Sequence, residues 1–381
     1  YAKALELQQK AHTIREQVLE SNHPDIAISF NNLAGIYQEL GEYKKALDAI
    51  QNAIAIEDQV LEPNYPAIAT SHSNLSNIYL DLGEYEKALE AQQKAITIRN
   101  QVLKTNHPDV ANSHNSLAMI YQNLGNYKKA MEAQQKAIEI QEQVLESNHP
   151  DLAIHYSNLS LIYLDLGDSE NALKAQQKAI AIEEKVLESN HPNIATSYNN
   201  LALIYRNSGD YEKVLEAQQK AIAIMEHVLE PNHPTIPTLY GNLAVYYQES
   251  GDYEKALEVQ QKALTIREQV LESNHPDIGL SYHNLAANYY LLEDYEKALE
   301  AQQKAIAIRE QALGSNHPQI ALSYFNLSRI YSALDKLTSA IEFGEKAYAI
   351  LTVKLPSNHE YIQICLHEIA SYYNQRGQQY Q

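Results

Sequence analysis

Apolar residues recur along this chain at helical spacing, in two stretches, and then the whole arrangement repeats. From Asp25 to Pro66 the first stretch carries Ile26, Phe30, Leu33, Ala34, Tyr37 and Leu40, whose spacing paints one face of an α-helix. The second carries Tyr43, Ala46, Leu47, Ile50, Ala53, Ile54, Val60 and Leu61 and predicts a longer helix ending near Glu62. Gly41 between them predicts a left-handed C-cap, a conformation that glycine enters without steric cost. Pro24 suits the first turn of the first helix, where its missing N–H costs nothing. Asp25 beside it favours the positive end of the helix dipole. Pro63-Asn64-Tyr65-Pro66 predicts a turn into the next unit.

The unit then returns. His23-Pro24 recurs as His107-Pro108, His149-Pro150, His191-Pro192, His233-Pro234, His275-Pro276 and His317-Pro318, at multiples of 42 residues. Tyr65-Pro66 and His359-Glu360 fill the remaining slots. A fixed period of this length predicts a stacked array rather than a globule. One unit alone buries too little apolar surface to offset the ordering of its backbone, so neighbours must share their cores. Tyr1 aligns with Tyr43, so residues 1–24 read as a half repeat holding a second helix only. Full repeats span 25–66, 67–108, 109–150, 151–192, 193–234, 235–276, 277–318 and 319–360, and 361–381 reads as a capping helix and tail. The expectation is one array over 1–381 with eighteen helices, the last from about Tyr361 to Gln375. The opening helix lacks its first-helix partner, which suggests a natural protein that extends further toward the N-terminus. The divergent stretch from Lys336 to Leu355 and the polar tail Gln378-Gln379-Tyr380-Gln381 read as a closing cap.

Four positions break the pattern. Glu293 and Asp335 replace the turn glycine and predict strained or reshaped turns. Ser169 replaces the tyrosine that opens the second helix and leaves a smaller plug. Pro237 near the start of its helix predicts a late beginning.

Ala34, Ala46 and Ala53 recur in nearly every copy and let helices approach closely. The order Asn32-Leu33-Ala34, Tyr37, Gly41, Tyr43, Ala46 and Ala53 resembles the tetratricopeptide repeat. That family's usual period is about 34 residues, and here the second helix and loop are longer. The longer unit, with His-Pro-Asp-Ile-Ala followed by Asn-Asn-Leu-Ala, resembles the kinesin light chain subfamily, and the resemblance covers essentially all 381 residues. It implies an all-α fold, a right-handed α-solenoid superhelix of antiparallel helix pairs. It also implies that the first helices line a concave groove. Their second, fifth, sixth, ninth, twelfth and thirteenth positions would then face a bound partner.

Carried onto this chain, the sixth-position column is Asn32, Asn74, Ser116, Asn158, Asn200, Asn242, Asn284, Asn326 and Glu368. Each asparagine offers a donor and an acceptor. The column can hold the backbone of an extended peptide, or each amide can bond the adjacent helix and fix the stacking. The fifth column reads Asn31, Ser73, Asn115, Ser157, Asn199, Gly241, His283 and Phe325. Ninth and twelfth positions vary as well, whereas Gln-Gln-Lys-Ala stands in seven of the second helices, even at positions read as solvent-facing. Variation concentrated on one face suggests a surface specialised position by position, apolar from Met119 through Val245. Arg206 and Arg329 stand there against Glu39, Asp81, Asp165 and Glu249, so the expected partner is a neutral or basic, partly apolar peptide or protein segment. The candidate binding residues are Asn32, Asn74, Asn115, Asn158, Asn199, Asn200, Arg206, Asn242, Asn284, Asn326 and Arg329.

Composition narrows the rest. A formal net charge of −19 repels nucleic acid and anionic membrane surfaces. The single cysteine, Cys365, excludes an internal disulfide framework and fits a reducing compartment, so a cytoplasmic location is expected. No apolar run is long enough to span a bilayer. Asn-Leu-Ser at Asn74, Asn158 and Asn326 matches a glycosylation acceptor but falls inside expected helices, and reads as accidental. The repeated loop histidines invite a metal reading. Packed helices sit about 8–10 Å apart, however, while zinc ligands converge to about 2.0–2.1 Å from one ion. A packed or helix-capping histidine is the better reading, and His72, His114 and His155 border the groove. No nucleophile–base pair, phosphate loop or cysteine cluster appears, so neither an enzyme nor a metal or cofactor is expected. The leading expectation is a non-catalytic adaptor. Alternatives are a scaffold that self-associates through its N-terminal helix, and a sensor module of a larger signalling protein.

Overall fold

A computed structural model describes residues 2–62, 65–104, 106–233, 235–313, 318–354 and 360–379. Among them are eighteen helices and no strand. First helices of the repeats are α2 (Pro24–Glu39), α4 (Pro66–Asp81), α6 (Pro108–Asn123), α8 (Pro150–Asp165), α10 (Pro192–Ser208), α12 (Thr235–Glu249), α14 (Pro276–Leu291), α16 (Pro318–Ala333) and α18 (Glu360–Gln379). Second helices are α1 (Ala2–Val18), α3 (Tyr43–Val60), α5 (Tyr85–Val102), α7 (Tyr127–Val144), α9 (Ser169–Val186), α11 (Tyr211–Val228), α13 (Tyr253–Val270), α15 (Tyr295–Leu313) and α17 (Leu337–Lys354). They fall into two compact units, Tyr1–Glu188 and Ser189–Gln381. Each unit is an all-α solenoid in which every helix packs on its sequence neighbours. First helices of successive repeats also touch directly, α2 on α4 in one unit and α14 on α16 in the other.

The loop histidines are helix caps. Nδ1 of His23 accepts the N–H of Asp25 at 3.1 Å, and His107, His149, His191, His233 and His275 repeat the bond at 3.2–3.3 Å. One otherwise orphaned donor of each first turn is thereby satisfied, just after the proline that needs none. His317 and His359 lie outside the described residues, as do Pro63, Asn64, Tyr380 and Gln381. Pro237 does not delay its helix: α12 is already running at Thr235, and the buried proline sits within the first turn. Ser169 likewise opens α9 where tyrosine opens α3, α5, α7, α11, α13 and α15. Helix α18 runs past Gln375 to Gln379.

The turn glycines are left-handed, with φ between 69° and 84° from Gly41 to Gly251. Glu293 and Asp335 keep that geometry, at φ 59° and 56°, rather than reshaping the turn. The closing bonds survive: Asp294 N–H reaches the Tyr289 carbonyl, and Lys336 N–H that of Tyr331, both at 2.9 Å. A side chain in this region costs about 1–2 kcal/mol, partly offset by its lower unfolded-state entropy. Glu293→Gly and Asp335→Gly should each therefore stabilise the fold by about 0.5–1 kcal/mol. A urea midpoint that falls in either variant would contradict this.

The core is a set of alanine contacts stapled by buried amides. Ala53, Ala95, Ala137, Ala179, Ala221, Ala263, Ala305 and Ala347 are all 0% exposed. The first glutamine of Gln-Gln-Lys-Ala is not a solvent position. Gln92, Gln134, Gln176, Gln218, Gln260 and Gln302 are buried. Gln92 Nε2 donates to the Ser113 carbonyl at 2.9 Å, Gln218 to that of Leu239 at 3.0 Å and Gln302 to that of Ser323 at 2.8 Å. Each bond ties a second helix to the first helix of the next repeat. The second glutamine meets the next repeat's tyrosine hydroxyl, as Gln9 does with Tyr37 at 3.0 Å and Gln219 with Tyr247 at 2.9 Å. Stacking therefore explains much of the uniformity of the second helices.

Candidate interaction surface

The asparagine columns form rungs between first helices. Asn74 Nδ2 donates to Asn31 Oδ1 at 3.0 Å, Asn158 to Asn115 at 2.9 Å and Asn242 to Asn199 at 3.1 Å. Asn326 meets His283 Nε2 at 3.3 Å. Each rung joins the sixth position of one repeat to the fifth of the repeat before it. The stacking role of these amides is thus present, and in Asn74, Asn158 and Asn242 it engages Nδ2 rather than Oδ1. Asn32 is exposed, and Asn200 and Asn284 are half-buried.

A second ladder joins twelfth to thirteenth positions. Gln38 Nε2 donates to Asp81 at 2.6 Å, and Gln122 donates to Asp165. Arg206 is clamped on Glu249, Nε to Oε2 at 2.8 Å and Nη2 to Oε1 at 2.5 Å. Its charge is therefore matched within the wall, and the pair holds its pKa above the usual guanidinium range.

Arg329 differs. It lies over the Tyr290 ring, 5.2 Å from the centroid, with no carboxylate within 4.0 Å among the described residues. Between α14 and α16 these two side chains, with Ala286, Ala287, Leu291 and Ile330, border a cavity of about 210 Å³. Asn326 and the buried Gln302 complete it. Ala287, Tyr290, Leu291, Asn326 and Arg329 all belong to the columns assigned to the groove from sequence. The cavity falls outside the Met119–Val245 stretch, where an anchoring site was expected. Exposed apolar side chains mark the same face elsewhere: Ile28, Met119 and Ile154 in the first unit, Leu280 in the second.

Of the first-helix histidines His72 and His155 are buried, His114 and His283 half-buried, and His367 exposed. His155 is 3% exposed, with Nδ1 3.2 Å from Asn115 Oδ1, and burial pushes its pKa down. Burial lowers His72 and His114 too, and takes His283 down to about 4. Sequence reasoning missed a column beneath the fifth positions, contributed by second helices: Glu57, Arg99, Gln141, Glu183, Met225, Arg267, Arg309. Arg99 Nη1 donates to Ser73 Oγ at 2.8 Å and to Ser113 Oγ at 2.5 Å. A polar residue recurring among apolar ones at the same slot of each second helix was the available signal.

No helix among the described residues is long and apolar enough to cross a membrane, and none of their His, Cys, Asp and Glu side chains cluster in threes as a metal site would. Helix α1 leaves Leu7, Ile14 and Val18 exposed, at 57%, 59% and 71%.

Stacked antiparallel helix pairs, a left-handed turn in each and side-chain rungs between first helices define a helical repeat scaffold. The tetratricopeptide repeat profile matches residues 1–57, 25–101, 67–143, 109–185, 151–227, 235–311 and 277–352, and the chain belongs to that family. Comparison with curated protein sequences gave no significant match. A solved structure from Podosopora anserina, described as a kinesin light chain with nearly identical tetratricopeptide-like repeats, is similar at 28% identity and TM-score 0.50. It covers 54% of this chain and 98% of its own. The fold is shared with a signal transduction ATPase with numerous domains and a tetratricopeptide repeat sensor from Pyrococcus horikoshii. There the TM-score is 0.63 at 18% identity, over 96% of this chain and 51% of that protein. The apo form of RapI matches at TM-score 0.55 and 14% identity, over 75% of this chain and 98% of its own.

Proposed function

We propose that this chain is a non-catalytic, cytoplasmic adaptor that holds an extended peptide or protein segment along its first-helix face. The cavity between α14 and α16 carries the reading. It is an apolar hollow with a few convergent polar groups, the usual anatomy of an anchor pocket, and most of its lining comes from groove columns. The sixth-position asparagines supply backbone contacts that do not depend on sequence. Asp81 and Asp165 bond neutral amides and keep their charge, and Arg206 is spent on Glu249, so the wall outside the Arg329 cavity favours neutral or basic segments. The kinesin light chain likeness agrees with a role in holding a partner.

Peptides selected from a random library on the whole chain provide the test. Ala287→Phe fills the hollow and Asn326→Leu removes one rung amide. Each is expected to weaken selected peptides about tenfold or more by calorimetry while the protein stays folded. Affinity unchanged in both variants removes this face as the site. Tighter binding of matched acidic peptides removes the charge preference.

A further inference from the structure

The rung ladder of the second unit has a gap, and it opens toward a buried cation. At Asn242 and Asn326 the sixth-position amide meets a side chain from the preceding repeat, Asn199 or His283. At Asn284 the preceding fifth position is Gly241, which has no side chain to meet. A Cβ built on Gly241 finds no heavy atom within 4 Å, so the space is open. The Asn284 carboxamide has no hydrogen-bond partner among the described residues.

By repeat register Arg267 falls beneath this gap: it bonds Ser281 as its counterpart Arg99 bonds Ser113. In two repeats of the first unit the residue 26 positions after the fifth column bonds to it, Arg99 to Ser73 and Glu57 to Asn31. Arg267 holds the same position relative to Gly241. It is 8% exposed, and its Nη1 donates to Ser281 Oγ at 2.6 Å and to the Asp277 carbonyl at 3.5 Å. The Asp277 carboxylate acts on it electrostatically but forms no ion pair within 4.0 Å. Buried charges are ordinarily paired. Other cations of the column have a side chain at the fifth position: Ser73 accepts from Arg99, and His283 lies near enough to Arg309 for that charge to lower its pKa.

We infer that the gap between Gly241 and Asn284 binds a carboxylate from an Asp or Glu side chain of the bound segment. Arg267 supplies the charge and Asn284 Nδ2 a second donor, a combination suited to a planar anion. The inference rests on the binding role of the first-helix face and refines it. Within a neutral or basic segment, one acidic residue sets the register along the wall.

The test uses the whole chain, isotopically labelled, with the side-chain N–H signals of Arg267 and Asn284 followed by NMR. The probes are N-acetylglutamate N-methylamide and its neutral glutamine analogue. Saturable shifts with the glutamate probe, several-fold larger than with glutamine, are expected. Gly241→Asn installs the residue found at Asn31, Asn115 and Asn199 and closes the gap. It should abolish the shifts while leaving Tm unchanged or higher, because glycine within a helix is destabilising. Arg267→Met, with the residue that stands at Met225, should abolish them as well. No shift with the glutamate probe, equal shifts with both probes, or undiminished shifts in Gly241→Asn would each overturn the site. Because these probes report the gap alone, their outcome is separate from that of peptide binding by the Ala287→Phe protein.

Discussion

Acidification from pH 7 toward pH 4 is expected to cost the fold about 3 kcal/mol through His283 alone. Burial, reinforced by the nearby Arg309 guanidinium, takes this imidazole from its ordinary 6.5 down to about 4. Gln302 opposes the shift through a hydrogen bond. The folded protein therefore keeps His283 neutral where the unfolded chain has already bound a proton. Stability from this group is complete above the unfolded value of 6.5 and is lost as pH falls through the interval to about 4. His72, His114 and His155 are lowered by burial too and add to the same slope. His283→Asn is the informative variant. Asparagine stands at the equivalent Asn31, Asn115 and Asn199 and bonds the next repeat's asparagine at 2.9–3.1 Å, so the rung to Asn326 can persist. Urea midpoints measured at pH 7 and pH 5 should fall much less in that variant than in the wild type. Parallel falls would mean that His283 does not set the acid limb.

Most of the fold was legible because the chain punctuates its helices strongly. Proline opens the first helices, glycine closes them, and the apolar stripes need no tertiary information to be read. The two departures come from tertiary context. Glu293 and Asp335 hold a glycine conformation because the flanking bonds to Tyr289 and Tyr331 fix the turn around them. Pro237 fits because it falls where a helix has no donor to lose. The buried glutamines were misread for a different reason. Periodicity sorts residues by polarity, and an amide whose partner is the next repeat's carbonyl looks like a surface residue. The same blindness applied to the site. The partner of Asn74 is Asn31 and that of Arg206 is Glu249, pairs visible only once the stacking register is known. Repeat spacing places columns on a face, but it does not reveal which members of a column are already spent on a neighbour. Asn284 meets no neighbour's side chain where Asn74, Asn158, Asn242 and Asn326 do, and Arg329 meets no carboxylate where Arg206 does.

The alanine columns set how much volume each helix contact tolerates, and they do not tolerate it equally. Where Ala46, Ala88, Ala130 and Ala172 stand, the fifth full repeat has Val214, also 0% exposed. That contact can therefore admit two further methyl carbons without losing closure. The Ala53 column admits none: in all eight full repeats the residue is alanine and 0% exposed. Ala179 in particular is enclosed by Leu152, Ala153, Tyr156 and Leu159 of the helix before it. Ala179→Leu forces extra volume into that enclosure and is expected to destabilise the first unit by about 3 kcal/mol. Ala172→Val, on the same helix, should cost within about 1 kcal/mol, including the small helix penalty of a branched side chain. Repeat arrays lose stability locally, so hydrogen exchange of α8 and α9 amides reads the difference better than a single melting curve. Equal protection in the two variants would show that the strictness of the Ala53 column has some origin other than space.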